Sequence, residues 1–420
     1  MRLILERRSL RFVFLANVVS MLGSGMNAAA VAWTILARTH SEMALGTFAA
    51  LQTIPALLLL PFTGVIIDRE DRRRLVMMLD AARALIIAVV AVLAFLNRVQ
   101  IWQLYLMNTL VAAGFWMFWP TITALIQELT PEGQFVQSNT LLLAGVQGGW
   151  LLAGAIVGFV YEHIGLGGVL LIDIGTYVVS FLCYFLVRQG RAVPRADELK
   201  HDIEAAESAV GKFLHEMGEG LDFLRAHRSV VFLGTSWALF LGAMMTGVVV
   251  TAPLSDRVFH AGATGYGWLN GGWGVGAFLS ALYAPQLIAF AGARRSIALA
   301  MLLLTVVMAL APFSPWLALA VALYAVMGSA RGISGVAMNS SLMQQVPTHF
   351  MGRVQNAFNF FGVLLQIALA FVVGAAASRV SLATGFGVIA AVYAIALGSA
   401  CWPIAAEPVV RAEYPEAVKE

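Results

Sequence analysis

Gly64-Val-Ile-Ile-Asp68-Arg69-Glu-Asp71-Arg72-Arg73-Arg74-Leu75 sets arginines and carboxylates side by side between two long apolar runs. Only 12% of the 420 residues are charged, about half the ~25% of soluble proteins, so such a turn marks a boundary. Outward from it the chain is 60% hydrophobic with a mean hydropathy of +0.83, enough apolar material for about twelve membrane-crossing helices of ~20 residues. Spans fall at about residues 12–36, 45–67, 75–96, 101–126, 139–160, 166–187, 230–254, 266–290, 297–313, 317–342, 354–377 and 382–404. The first is too long for a signal-peptide core and is expected to remain as a helix. The fold class expected is an all-α membrane protein.

With the N-terminus inside, the opposite side holds Arg38, Arg98, Arg257 and Arg379, and Arg331 lies within a span; the other Lys and Arg, Arg83 counted among them, fall on the cytoplasmic side. That bias follows the positive-inside rule and predicts a multi-pass protein of a bacterial cytoplasmic membrane with both termini cytoplasmic. It also accounts for the pI near 9.0 without nucleic acid as a partner. Cys183 and Cys401 lie alone in apolar stretches, which argues against a disulfide framework or a metal site.

The long polar stretch between Arg188 and His227 separates six spans from six. The domains expected are an N-terminal six-helix bundle (1–187), a cytoplasmic linker (188–228) and a C-terminal six-helix bundle (229–420). Within the linker Phe213, Leu214, Met217, Leu221 and Leu224 recur at helical spacing, which fits an amphipathic helix on the membrane surface or else a solvated connector. A weak repeat supports two related halves: Leu125-Ile-Gln-Glu128-Leu-Thr-Pro131 follows span four, and Leu342-Met-Gln-Gln-Val-Pro347 follows span ten. Parallel six-helix repeats are a transporter arrangement with a substrate site between the halves.

In the opening turn, Gly64 permits close backbone approach, Asp68 suits the positive end of a neighbouring helix, and Arg69, Arg72 and Arg73 suit carboxylates at other helix ends. Glu128 is the expected partner of Arg72 or Arg73. The turn resembles the GxxxDRxGRR/K signature between helices two and three of the major facilitator superfamily, with Asp71 where the family usually has glycine. That resemblance implies twelve transmembrane helices in two pseudo-symmetric six-helix bundles, and a cytoplasmic latch that sets Asp68 near Gly352 and Arg353.

Further stretches are similar to the third drug:proton antiporter group, which includes macrolide-efflux and enterobactin-exporter proteins. They are Pro120-Thr-Ile-Thr-Ala-Leu-Ile-Gln-Glu-Leu-Thr-Pro131, Ile172-Asp173-Ile-Gly-Thr-Tyr177, Gly220-Leu-Asp-Phe-Leu-Arg225-Ala-His-Arg228 and Pro347-Thr-His-Phe-Met-Gly352-Arg353-Val354. Relatives often carry GPxxGG in span five, whereas this chain reads Gly154-Ala155-Ile-Val-Gly158-Phe159. Gly145, Gly149, Gly154 and Gly158 in span five, with Gly267, Gly271, Gly272 and Gly276 in span eight, form small-xxx-small steps that allow close helix approach. In relatives these spans meet across the halves, so the steps are candidate sliding surfaces or ordinary packing.

Polar residues in span one, Asn17, Ser20, Ser24, Asn27 and Thr34, share one face of a helix. Span four aligns Asn108, Trp116 and Trp119, span seven offers Phe240 and Met244, and span ten aligns Tyr324, Arg331 and Met338. The resemblance implies that these four spans line a central cavity. Amides, rings and thioethers there would suit large amphipathic solutes; interhelical packing is the alternative for each residue taken alone.

Two carboxylates lie inside spans. An aspartate near the bilayer centre costs ~2.5–3.5 kcal/mol on insertion scales, so its protonation would respond to conformation. Asp173 is the first candidate for proton coupling, or else an outer-leaflet structural group. Asp80 is the second candidate and is placed to pair with Arg83 at i+3. Arg331 would bind an anionic substrate group, hold a protonation switch or snorkel to the interface.

No P-loop, HExxH or nucleophile–base pair occurs, so an enzyme is not expected. The expectation is a monomeric secondary exporter of hydrophobic or amphipathic compounds, such as drugs or siderophores. It would need no cofactor or metal, take the proton gradient as drive, and have protons, small substrates and membrane lipids as partners. Alternatives are a lipid or lysophospholipid flippase of the same fold and, more remotely, a non-transporting receptor or scaffold.

Overall fold

The computed structural model describes residues 7–130, 135–187 and 199–401. Among them every regular element is helical: α1 (Arg8–Thr39), α2 (Glu42–Arg69), α3 (Arg72–Phe95), α4 (Ile101–Leu129), and the run Phe135–Phe185. That run leaves helical geometry at Gly165, with φ 65° and ψ −172°, a left-handed conformation natural only for glycine. It therefore divides into α5 (135–164) and α6 (166–185). Partners prove the reversal. Tyr161 on α5 meets Thr34 and Gly149 meets Met21, so α5 runs parallel to α1, while Tyr184, Tyr177 and Asp173 on α6 meet Asn17, Ser24 and Asn27 in antiparallel order.

The remaining helices are α7 (Leu199–Ala226), α8 (Arg228–Met245), α9 (Val248–Pro253) continuing into a π turn (Leu254–Val258), α10 (Gly262–Ala291), α11 (Ala293–Leu310), α12 (Leu317–Gln345), α13 (Thr348–Arg379) and α14 (Leu382–Cys401). Among the described residues eleven helical stretches are long and apolar enough to cross a membrane, one of them Gly148–Phe185. Its break at Gly165 makes the spans twelve, with α8 and α9 together forming the seventh.

Caps stop these helices where the charges cluster. Asp71 accepts from the backbone N–H of Arg74 at 2.8 Å and starts α3; the residue standing where the resemblance has glycine is an N-cap. Ser41 accepts likewise from Ala44 and starts α2. Gly292, at φ 83°, turns α10 into α11. The turns at Asp71 and Gly292, together with α7, define a basic end of the molecule; the turns near His40 and His260 define the far end.

Helices α1–α6 pack as one half and α8–α14 as the other. α7 lies along the basic end against α13, with Phe223 stacked on Phe350 at 5.0 Å and Glu219 paired with Arg353 at 3.1 Å. The halves touch along two seams. Gly46 on α2 lies against the carbonyl of Ala370 on α13, and Gln366 donates to Thr53. Gly154 and Gly158 on α5 lie against Asn270, Ala263 and Thr264 on α10. A side chain at Gly158 would collide with the Ala263 carbonyl, so these glycines set how closely the halves approach.

Candidate functional site

Both seams belong to the far half of the molecule, and polar contacts complete the closure there. Arg257 pairs with Glu42 at 2.5 Å and donates to the His40 carbonyl at 2.7 Å. Glu162 accepts from the Thr264 backbone N–H, and Trp33 stacks on Tyr266. Nearer the basic end Gly148 and Gly335 have no atom within 4 Å of a would-be Cβ, and Met343 is 67% exposed. Among the described residues the direct contacts between the halves thus gather at the far end, and at the basic end α7 touches both α2 and α13.

Inside the N-terminal half lies a buried polar network. Asn27 donates to Asp173 Oδ2 at 2.7 Å, and Thr176 donates to Asp173 Oδ1 at 3.3 Å. Asp173 is fully buried, and Gly23 opposite it has no side chain because one would overlap the carboxylate and the Thr176 hydroxyl. Deeper in the same half, Arg83 donates to Asp80 at 2.5 Å, Ser180 donates to Asp80 at 2.6 Å, and the guanidinium lies between the rings of Phe118 and Tyr177 at 4.7 and 4.5 Å. Arg83 is close enough to Asp173 for a direct charge interaction. Gly114 on α4 leaves room for its stem.

Several expectations need correction. Arg83 is not at a cytoplasmic surface; it is 1% exposed in the middle of α3, because a carboxylate and two rings replace water around it. The polar stripe of span one does not look into the space between the halves. Asn17 donates to Tyr184, Ser24 shares a hydrogen bond with Tyr177, and Asn27 binds Asp173, so this face is turned onto α6. Asn108 is buried against α2, donating to the Phe48 carbonyl and accepting from Gln52. Phe240 is buried beside Tyr393, Tyr324 is buried sharing a hydrogen bond with Thr251, and Met338 is fully buried. These residues hold helices together.

Trp116, Trp119, Met244 and Arg331 keep accessible surface. Trp116 donates from its indole N–H to the Gln52 carbonyl at 3.1 Å and leaves its ring exposed; Trp119 packs on the core of its half. Arg331 faces Met244 Sδ through Nε at 2.7 Å and lies over the Trp273 ring at 4.8 Å. Gly272 and Gly276 pack on α12, and Gly145 and Gly149 pack on α1, so of the small-residue steps Gly154, Gly158, Gly267 and Gly271 are the ones at the seam.

At the basic turn Arg72 pairs with Glu128 at 2.7 Å, while Arg73 donates to the carbonyls of Tyr184 and Phe185 at the end of α6. Both contacts brace one half internally. Gly64 and the side chains of Asp68 and Arg69 lie outside the described residues, as does Pro131. Gly352 stands in open space, and Arg353 pairs with Glu219 of α7, a carboxylate outside the motif that carries the latch resemblance. Among the described residues no three of His, Cys, Asp and Glu gather to hold a metal ion.

Residues 13–370 match the Major Facilitator Superfamily. Macrolide efflux protein A of Streptococcus pyogenes is 21% identical over 56% of this chain and 55% of its own length, so the chain spans about half of that relative. The multidrug efflux pump Tap of Mycolicibacterium fortuitum is 24% identical over 83% of this chain and 84% of that protein. Among solved structures the nucleoside transporter NupG superposes with a TM-score of 0.71 at 12% identity, covering 94% of this chain and 98% of that one.

Proposed function

This chain belongs to the major facilitator superfamily, a family of transporters rather than enzymes, and on that premise we propose that it exports hydrophobic or amphipathic compounds in exchange for protons. The observation that carries the reading is the asymmetry of closure. Glycine seams and the Glu42–Arg257 pair hold the halves together at the far end, whereas nearer the basic end Gly148 and Gly335 face open space and α7 touches both α2 and α13. By the positive-inside rule the basic end faces the cytoplasm, where a substrate for export would enter. Rocking about the α2–α13 and α5–α10 seams would expose the same interior to the other side.

Efflux is favoured by the similar proteins, a macrolide efflux protein and a multidrug efflux pump. Proton coupling draws its support from Asp173, a buried carboxylate held by Asn27 and Thr176 within charge range of Arg83. A carboxylate there binds or releases a proton according to how α1 and α6 sit around it. One proton crossing 100 mV supplies ~2.3 kcal/mol.

The test is substrate-induced proton release in energised everted vesicles, with macrolides, lipophilic cations, siderophores and lysophospholipids tried on wild type and Asp173→Asn. A compound that collapses the pH gradient with wild type alone supports antiport through Asp173. Equal responses make Asp173 structural. If neither protein responds while lysolipid still crosses, a flippase replaces the exporter.

A further inference from the structure

Two guanidiniums lie at mid-membrane depth among the described residues, and their surroundings differ in kind. Arg83 is enclosed: Asp80 neutralises it, Phe118 and Tyr177 cover its faces, and it is 1% exposed. Arg331 sits at the middle of α12, ~21 Å of helix from either end, too deep for its head to reach the interface easily. The Trp273 ring on α10 and the Met244 thioether on α8 touch it, and the buried Tyr393 phenol on α14 lies within its electrostatic range. No carboxylate pairs with it among the described residues, and it is only partly buried.

A guanidinium offers five N–H donors, and a thioether is a weak acceptor for one of them. Trp273 is a ring partner that accepts no N–H in the plane of the group, and that planar edge is where a carboxylate or phosphate docks in two parallel hydrogen bonds. One turn further along α12, on the side toward the basic end, Gly335 adds no side chain and faces empty space. Met244 and Trp273 supply a flexible thioether and a flat ring beside the charge, surfaces that accept an apolar body without dictating its shape.

We propose that Arg331 is an anion-recognition point on the transport path, and that the compounds carried are amphiphiles joining one carboxylate or phosphate to an apolar, partly aromatic body. This narrows the substrate class of the reading above and rests on it for the step of transport, though not for binding.

The test is equilibrium binding to the full chain in phosphatidylcholine nanodiscs, using 2-naphthyl phosphate, 2-naphthoate, neutral 2-naphthol and 2-naphthylmethylammonium. Wild type is expected to bind the two anions at least tenfold more tightly than the ammonium. Arg331→Gln brings the anions to within twofold of 2-naphthol and leaves 2-naphthol itself unchanged, which also reports that the variant is folded. Arg331→Lys, a second variant that keeps the charge, retains part of the preference for phosphate. Octyl phosphate and lysophosphatidate then compete with naphthyl phosphate: displacement by the first alone assigns soluble amphiphiles, and displacement by both admits a lipid headgroup. Equal affinity for anion and cation, or a preference that survives Arg331→Gln, overturns the proposal. Proton release by other compounds with no anion preference sinks this inference alone, whereas anion preference with no transport of any compound sinks the exporter alone.

Discussion

Asn27 on α1 donates from Nδ2 to Oδ2 of Asp173 on α6 at 2.7 Å, deep in the N-terminal half. The bond joins a helix that stacks against the opposite half through Trp33 and Tyr266 to the best-placed candidate coupling carboxylate. A proton arriving on Asp173 weakens the charge-assisted bond, and a shift of α1 that breaks the bond leaves a buried charge without its donor. Proton binding and helix position would thereby be linked.

Asn27→Ala removes the donor without touching the carboxylate. Expected are a stability loss of about 1–3 kcal/mol and a fall of more than tenfold in substrate-induced proton release. Unfolding midpoints in detergent read the first and vesicle pH the second; unchanged proton release would show that the bond is packing only.

Gly23→Ala pushes a methyl group into the space that the Asp173 carboxylate and the Thr176 hydroxyl occupy. Overpacking of this kind costs about 1–3 kcal/mol. Gly335→Ala, mid-helix and where a Cβ meets nothing, serves as the control: with no clash, the gain of about 0.5–1 kcal/mol in helix propensity should raise the unfolding midpoint rather than lower it.

Arg83 and Asp80 give a sharper contrast. Removing one partner of a fully buried ion pair leaves the other uncompensated, at a cost of about 3–5 kcal/mol, so Arg83→Met and Asp80→Leu should each unfold at markedly lower denaturant. The double variant should recover most of that loss, because an apolar pair of similar volume often matches a buried salt bridge. If the double variant is no better than either single one, the pair does more than satisfy itself.

The twelve spans, the reversal near Gly165 and the transporter fold were legible because bilayer thickness and glycine turns write themselves locally. The aim of a polar face is not local. Asn17, Ser24 and Asn27 share a helical face whether that face looks into a cavity or onto another helix. The clue lay in span six, where Asp173, Tyr177, Ser180 and Tyr184 form a matching stripe at helical spacing. Paired in antiparallel order, the two stripes account for each other's hydrogen bonds. Arg83 was misplaced for a related reason: charge counting assumes that arginines sit in water, and Asp80, Ser180 and two rings substitute for it. Glu219, the partner of Arg353, lies on a helix between the halves where no repeat points to it.

At the basic turn Arg72 and Glu128 are about equally accessible, at 23% and 22% of their side chains, and both belong to the N-terminal half. Partly exposed pairs contribute about 0–1 kcal/mol. Arg72→Gln should therefore shift the unfolding midpoint little and leave the distance between halves unchanged; a large change in that distance, read by paired spin labels, would mean that the pair also senses the other half.

Glu42 and Arg257 are the opposite case, because they do join the halves. The Glu42 side chain is 2% exposed and that of Arg257 43%, so solvent screens one partner and the pair is worth about 1 kcal/mol rather than the several of a buried one. A loss of that size moves an open–closed equilibrium about fivefold. Arg257→Gln should therefore raise the fraction of molecules open at the far end. Labels at Arg98→Cys and Trp316→Cys, one on each half beside that end, with Cys183 and Cys401 replaced by serine, would report a longer-distance population growing by that factor. Raising salt should produce a weaker version of the same shift in wild type and almost none in the variant. Distances indifferent both to Arg257→Gln and to salt would mean that the Gly46 and Gly158 seams close the far end unaided.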